Sequence, residues 1–232
     1  MVSPAQAHAM RVAAMLVASE NNPAPANASE YELMLLKLAQ DRARLKQIES
    51  QRGKIEVKRK LLPEYVPWIE GALKGNGAQD TVLMTIMVWR IDTGDWRGAL
   101  DIAAYALRHN LVLTDQFERN LPCLIAEEIA EQAKAGEPVP LAILLEADAL
   151  LNSYDMPDQV RAKLAKAIGM AQLKEAGEGL AGMALVRKQQ ALVSLKRALG
   201  LHDACGVKKD IERLERELKN AAKPEESSSG TG

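Results

Sequence analysis

Apolar residues recur at helical spacing along most of the chain, and glycines and prolines separate the apolar stretches. The clearest stretch runs from Gly75 to Asn110 and predicts two helices folded back on each other. The first helix covers about Ala78 to Thr93. Gly94 then stands where a helix needs a left-handed residue to end, and Asp95 can cap the next helix. This segment is therefore predicted to be an antiparallel helical hairpin around which the rest of the chain is organised.

Upstream of this hairpin, the pattern predicts a short helix and a long one. The short helix begins at Ser3-Pro4 and continues to about Glu20. Ser29 and Glu32 form a capping box for a long helix from about Glu30 to Leu62, which Pro63 then ends. This helix carries an approximate heptad seam of apolar residues: Met34, Leu38, Leu45, Ile48, Ile55 and Leu62. Its length predicts that it projects, pairs with another helix or packs between subunits.

Downstream, glycine- and proline-containing breaks separate a series of further helices. These helices are predicted over about 122–135, 141–153, 158–175, 183–199 and, with Asp203 as a cap, up to about residue 222. The predicted fold class is all-α, with a long N-terminal amphipathic helix followed by a body of antiparallel helix pairs that weakly resemble tetratricopeptide units. We divide the chain into an N-terminal helical DNA-binding and oligomerisation region (1–62), a helical body (63–222) and a disordered tail (223–232).

Composition supports the helical class and limits the possible chemistry. Hydrophobic residues make up 47% of the 232 residues, and the net charge of −1 predicts no global attraction to nucleic acid or membrane. Cys123 and Cys205 are far apart, which favours two reduced cysteines, and the three histidines are too scattered for a local zinc site. No signal peptide and no apolar run long enough to cross a bilayer is recognised, so a cytoplasm is the expected location.

One segment is strongly basic despite the neutral total. From Lys37 to Lys60, nine lysines and arginines stand against Asp41, Glu49 and Glu56, so the local sum is 9 − 3 = +6. A solvated face with internal salt bridges is the commoner meaning of such a run, and contact with DNA is the alternative. With only Tyr31 and Tyr65 nearby, contact with the duplex backbone is favoured over base stacking. The candidate DNA-binding residues are Arg42, Arg44, Lys46, Arg52, Lys54, Lys58, Arg59 and Lys60.

No sequence motif identifies a catalytic centre. The chain lacks GxxxxGK[ST], GxSxG, HExxH and GxGxxG motifs. A Mg²⁺-dependent nuclease would need converging carboxylates, for which Asp80, Asp92 and Asp95 are the least unsuitable. The favoured interpretation is that Asp95 caps a helix and Asp92 is exposed. The acidic run Glu127–Glu131 is likewise predicted to be an exposed face. We therefore assign no catalytic or metal residues, and no cofactor except Mg²⁺ in the nuclease alternative.

Several stretches together resemble one protein family in the same order along nearly the whole chain. They include YELMLLKLAQD from Tyr31, KRKLLPEYVPWIEG from Lys58 and MPDQVRAKLAKAIG from Met156. The longest and most specific is GAQDTVLMTIMVWRIDTGDWRGALDIAAYAL, which begins at Gly77. In these stretches the chain is similar to the small terminase subunit of temperate contractile-tailed phages with cohesive-end genomes. This family is also called the terminase endonuclease subunit.

The resemblance implies a role in packaging the viral genome. It implies a subunit that recognises packaging-site duplex DNA and assembles with a large ATPase subunit, and the pair cuts the DNA and docks it at a procapsid. The long helix exposes too much of its apolar seam for a monomer, which predicts a homo-oligomer with this helix at or near an interface, and the resemblance implies that the oligomer is a ring. Two alternatives remain open: a Mg²⁺-dependent endonuclease that makes the staggered cut itself, and a helical adaptor that binds only protein. No family nuclease motif can be carried over to residues of this chain.

Overall fold

The computed structural model describes residues 3–19, 25–113, 120–135, 139–179 and 181–221. These residues contain helices and no strand, which confirms the all-α prediction. The ten helices are α1 (Pro4–Ser19), α2 (Pro25–Lys46), α3 (Gln51–Ala72), α4 (Thr81–Thr93), α5 (Trp96–Arg108), α6 (Leu121–Ala135), α7 (Leu141–Leu151), α8 (Asp158–Ala176), α9 (Gly182–Leu201) and α10 (Lys208–Ala221). They form two compact units, Met1–Glu128 and Ile129–Gly232, and the boundary lies inside α6. The predicted disordered tail, 223–232, lies outside the described residues.

The hairpin predicted at the centre of the sequence is α4 and α5. Gly94 ends α4 in the left-handed region at φ 80°, and Asp95 caps α5 by accepting a hydrogen bond from the Gly98 amide. The two helices contact each other, and α4 also packs against α3. Val82, Ile86 and Ile102 are fully buried in the core of the first unit. Local capping and apolar spacing were therefore sufficient to predict this element.

The first helix begins as predicted and packs closely on α3. The Ser3 hydroxyl accepts a hydrogen bond from the Gln6 amide at 3.2 Å, and the Gln6 side chain accepts one from the Ser3 amide at 2.9 Å. Where α1 meets α3, a Cβ added at Gly71 would lie 2.1 Å from the Arg11 carbonyl oxygen. Only glycine permits this approach, because any side chain would overlap the backbone of α1.

The prediction of one long helix from Glu30 to Leu62 is wrong. The structure has two helices, α2 and α3, joined by the four residues 47–50. Ser50 is the N-cap of α3, since it has an extended backbone and its hydroxyl accepts a hydrogen bond from the Gly53 amide at 3.1 Å. Ser29 is wrong as a cap, because α2 already begins at Pro25. The predicted division between residues 62 and 63 falls inside α3.

Pro63 and Pro67 lie within α3 and do not end it. A proline inside a helix costs roughly 3 kcal/mol, because it removes a hydrogen bond and crowds the preceding turn. Tertiary packing offsets this cost, since the buried residues of the second half of α3 recur at helical spacing and contact α1 and α4. The large members of this stripe are Leu61, Tyr65, Trp68 and Ile69.

The second unit is built around the pairing of α8 with α9. A separate core cluster joins α9 to α10 through Leu195, Val207 and Leu214, with Ala191 and Ile211 beside them. Antiparallel helix pairs were predicted here, but Asp203 is not the cap of the last helix, because α10 begins only at Lys208. Within the part of the chain that the structure describes, no helix is both long and apolar enough to cross a membrane.

Candidate nucleic-acid interface

The basic segment folds into a corner where α2 ends and α3 begins. We use the name basic corner for the five exposed cations of this region, which come from the last turn of α2 and the first three turns of α3: Arg44, Lys46, Arg52, Arg59 and Lys60. Arg42 and Lys54 lie beside them and are half-buried. The break at 47–50 therefore gathers positive charge at a turn, whereas an unbroken helix would have spread it along a rod.

Neighbouring acids do not neutralise the basic corner. Arg44, Lys46 and Lys60 have no carboxylate partner among the residues that the structure describes. Arg52 is paired with Glu56 at 3.6 Å, but the two side chains are 93% and 57% exposed. Such an exposed pair contributes little, because water screens it. Arg59 donates hydrogen bonds to the Thr93 carbonyl oxygen at 3.4 and 3.3 Å, and a carbonyl leaves the guanidinium charge uncompensated.

Lys58 differs from the other predicted DNA-binding residues because it has a buried structural partner. Its ammonium group forms an ion pair with the Asp92 carboxylate, and the two side chains are only 16% and 21% exposed. This pair joins α3 to α4. Lys58 therefore stabilises the first unit, and its charge is already matched.

We expect Lys58→Met to lower the free energy of unfolding by more than it weakens the free energy of DNA binding. The substitution leaves the Asp92 carboxylate without its partner, which should cost about 1–2 kcal/mol in the free energy of unfolding. A double-mutant cycle with Asp92→Asn, followed by denaturant unfolding, measures the coupling between the two groups. Lys60→Met is the matched control, because it removes the same charge from an exposed position and should leave stability unchanged. Additive effects of the Lys58 and Asp92 substitutions would contradict the assignment.

A polar cluster fixes α2 against α3 beneath the corner. The Lys37 ammonium lies 2.7 Å from the Asp41 carboxylate and 2.8 Å from that of Glu64. The Tyr65 hydroxyl donates to Asp41 at 2.6 Å, and Lys37 lies 4.5 Å from the centre of the Tyr65 ring. Burial, together with the two carboxylates, raises the pKa of Tyr65. The contacts of this cluster with α3 depend on the turn at 47–50, which the sequence did not predict.

The tyrosines near the basic segment are not available as stacking platforms. Tyr65 is fully buried. Tyr31 is stacked on Trp68 with ring centres 5.8 Å apart, and its hydroxyl accepts a hydrogen bond from the Thr81 amide at 3.1 Å. Both rings serve the core of the first unit, which agrees with the sequence argument against base stacking.

The carboxylates considered as metal ligands each have a structural partner. Asp80 is buried at the N-terminus of α4, where it accepts hydrogen bonds from two backbone amides and from the Trp68 indole. Asp92 pairs with Lys58, and Asp95 caps α5 and lies 3.4 Å from the Arg90 guanidinium. Among the described residues, no group of three or more histidines, cysteines or carboxylates is placed to hold a metal ion. The proposed ligand set is thus not assembled.

The later acidic run is only partly an exposed face. Glu131 is exposed and Glu128 is half-buried, but Glu127 is only 7% exposed, so the prediction is wrong for Glu127. Cys123 and Cys205 do not form a disulfide, and Cys123 is buried while Cys205 is half-buried.

Comparisons with known proteins agree with one another. A family model described as phage small terminase subunit matches residues 35–159. The chain is 46% identical over 230 residues to the "Terminase, endonuclease subunit" of Escherichia phage P2, with 97% of this chain and 89% of that protein covered. It is 25% identical over 205 residues to the "Probable terminase, endonuclease subunit" of Haemophilus phage HP1 (strain HP1c1), with 84% and 73% covered. No solved structure matches. The similarity extends along most of each relative and is not confined to one segment.

Proposed function

Because the chain belongs to the phage small terminase subunit family, as its sequence motifs predicted, and so takes part in phage DNA packaging, we propose that it is the DNA-recognition subunit. In this proposal the chain binds duplex DNA at the packaging site and assembles with the large ATPase subunit. The two subunits together cut the genome and deliver it to a procapsid. Cutting requires the large subunit, and the small subunit supplies recognition and assembly.

The observation that supports this proposal is the exposed, unmatched charge of the basic corner. Five cations lie at exposed positions on the last turn of α2 and the first three turns of α3, and among the described residues the one carboxylate paired with any of them, Glu56, is itself exposed. Duplex DNA carries closely spaced phosphates, and each cation that contacts one releases a condensed counterion. Five phosphate contacts per protomer predict that the logarithm of affinity falls with the logarithm of salt concentration at a slope of about −4.5.

We further propose a homo-oligomer, with a ring as the expected form. The apolar seam predicted to be exposed on a long helix does not support it, because Met34, Leu38 and Leu45 are buried within the chain itself. The remaining support is the opposite face of α2, where Leu33 is 59% and Leu36 is 56% exposed. Large apolar side chains at this exposure favour contact with another protein surface. Joining several basic corners in one assembly would raise affinity for a single duplex.

Mass photometry with and without packaging-site duplex tests the proposal directly. We expect masses at multiples of the 25.3 kDa chain, and a further shift when packaging-site duplex is added. A duplex of scrambled sequence and equal length is the control, and it should bind more weakly at physiological salt. A mass equal to that of one chain would contradict the proposed homo-oligomer. Equal binding to both duplexes would contradict recognition of the packaging site. No binding to either would favour the protein-only adaptor.

A second candidate function is favoured by the name of one relative. The protein of phage P2 is called an endonuclease subunit, and a Mg²⁺-dependent nuclease activity of this chain would agree with that name. The same samples, incubated with Mg²⁺ and resolved on a denaturing gel, distinguish the two candidates. Staggered cutting by the purified chain alone would support the nuclease, whereas cutting only after the large subunit is added would support the recognition subunit.

A further inference from the structure

The second unit contains a groove that the DNA-binding proposal does not use. Its volume is about 700 Å³, and it is bounded by α6, α7, α8 and the turn 202–205. Along α8 the lining residues run from Gln159 to Lys174 at intervals of three or four residues. They therefore belong to one face of the helix and extend over about 22 Å at 1.5 Å per residue. We call this feature the α8 groove.

The floor of the α8 groove is mostly apolar. On α8 its apolar lining residues are Ala162, Ala167, Met170 and Ala171, and Val139 and Leu144 line it from the neighbouring segment. The small side chains among them leave room for another helix to approach, and about four turns of helix fit the length of the face. This shape is typical of sites that bind an amphipathic helix through its apolar face.

The rim of the α8 groove is positively charged. Lys163, Lys166 and Lys174 line it, and Glu131 is the only acid among the lining residues, so their sum is 3 − 1 = +2. Lys163 lies 3.6 Å from Glu131. Lys166 donates to the Cys205 carbonyl oxygen at 2.7 Å, which positions its ammonium group without neutralising it. Lys174 is exposed and has no carboxylate partner among the described residues.

We propose that the α8 groove binds an acidic amphipathic helix of a partner protein. The alanine floor receives the apolar face of that helix, and the lysine rim pairs with glutamates or aspartates along its edges. Charge complementarity selects an acidic helix over a basic one. The floor argues against nucleic acid, because a phosphate backbone has no apolar face to bury there. This inference concerns a surface of the second unit and does not depend on the basic corner.

Cys205 provides a reporter of occupancy, because this half-buried residue lines the α8 groove. The full chain is treated with a maleimide, and the rates of labelling at Cys205 and Cys123 are read separately by peptide mass spectrometry. Cys123 is 5% exposed and is the internal reference. The probe is a synthetic helical peptide of about 20 residues with leucines on one face and glutamates beside them. A second peptide carries lysines in place of the glutamates.

We expect the acidic peptide to slow labelling of Cys205 at least tenfold, and the basic peptide to leave it unchanged. The double substitution Lys163→Glu with Lys174→Glu should weaken binding of the acidic peptide at least tenfold. Ala171→Trp, which fills the floor without changing the charge, should do the same. The matched control is Lys208→Glu with Lys209→Glu on α10, which makes the same charge change on exposed residues and should bind the peptide normally.

Four results would overturn the proposal. They are a failure of the acidic peptide to protect Cys205, equal protection by the basic peptide, protection by duplex DNA instead, and peptide binding that survives both groove variants. Protection that depends on protein concentration without any peptide would show that a second copy of the chain occupies the groove. Failure of DNA binding at the basic corner would leave all of these outcomes unchanged, so the two proposals are tested separately.

Discussion

Replacing Arg44, Lys46, Arg52 and Lys60 together by glutamine is expected to weaken binding of packaging-site duplex on the order of 100- to 1,000-fold at about 0.1 M salt. All four side chains are exposed, and none has a buried partner. Glutamine keeps a high helix propensity and a flexible polar side chain, although a shorter one, while removing the charge. The loss should therefore come from missing phosphate contacts and not from unfolding, which circular dichroism and thermal unfolding of the variant can verify.

The salt dependence of affinity separates phosphate contact from indirect effects. Four lost contacts should make the slope of log affinity against log salt less steep by about 3.6, measured by fluorescence anisotropy of a labelled duplex. The matched control replaces four exposed cations of α10 by glutamine: Lys208, Lys209, Arg216 and Lys219. Both variants change the net charge equally, so only contact at the basic corner distinguishes them. An unchanged slope in the corner variant, or an equal change in the α10 variant, would place DNA contact elsewhere.

The sequence predicted those helices whose ends are marked by local chemistry. The α4–α5 hairpin is an example, because the left-handed conformation at Gly94 and the cap at Asp95 act within a few residues. Helical class and most helix positions follow from the same local signals. The presence of a small, dense set of apolar residues at helical spacing was enough to predict a core without knowledge of which helices pair.

The course of α2 and α3 was not predictable in the same way, because opposing effects had to be weighed. Ser50 is a good N-cap, yet apolar spacing continues across it and suggested one helix. Pro63 and Pro67 are strong helix breakers, yet α3 runs through both. The burial of Trp68 and its neighbours against α1 and α4 decides the course of α3. This burial depends on tertiary contacts, which a short stretch of sequence does not show.

The candidate site was predicted as a list of charges but not as a surface. Nothing in the residues around Lys58 distinguishes it from Lys60, because both lie in one run of basic residues. Only the fold brings Asp92, thirty-four residues away, to one of them and not to the other. Asp80 is a second example. The sequence offered it as a metal ligand, and in the fold it is the buried N-cap of α4. Charge patterns in a sequence locate a region, and long-range contacts decide which side chains remain free.

Asp80→Ala is expected to lower the stability of the first unit by about 3 kcal/mol. Asp80 is 2% exposed, and its carboxylate accepts hydrogen bonds from the Val82 and Leu83 amides and from the Trp68 indole at 2.8, 3.0 and 2.8 Å. Loss of an N-cap costs about 1 kcal/mol. A buried indole N–H left without an acceptor costs about 1–3 kcal/mol more. All three tryptophans lie in the first unit, so their fluorescence during denaturant unfolding reports this change.

The pH dependence of stability tests whether Asp80 carries its charge in a desolvated site. Burial raises the pKa of Asp80 above the ordinary value of 3.8. Since the folded pKa exceeds the unfolded one, the folded state holds this proton more tightly, and the contribution of Asp80 to stability falls as pH rises from about 4. Asp80→Asn keeps one acceptor and cannot ionise. The stability of the wild-type chain relative to Asp80→Asn should therefore increase as pH is lowered from 7 towards 4. A constant difference would mean that the three hydrogen bonds to the carboxylate offset the cost of its burial, so that its pKa is not raised.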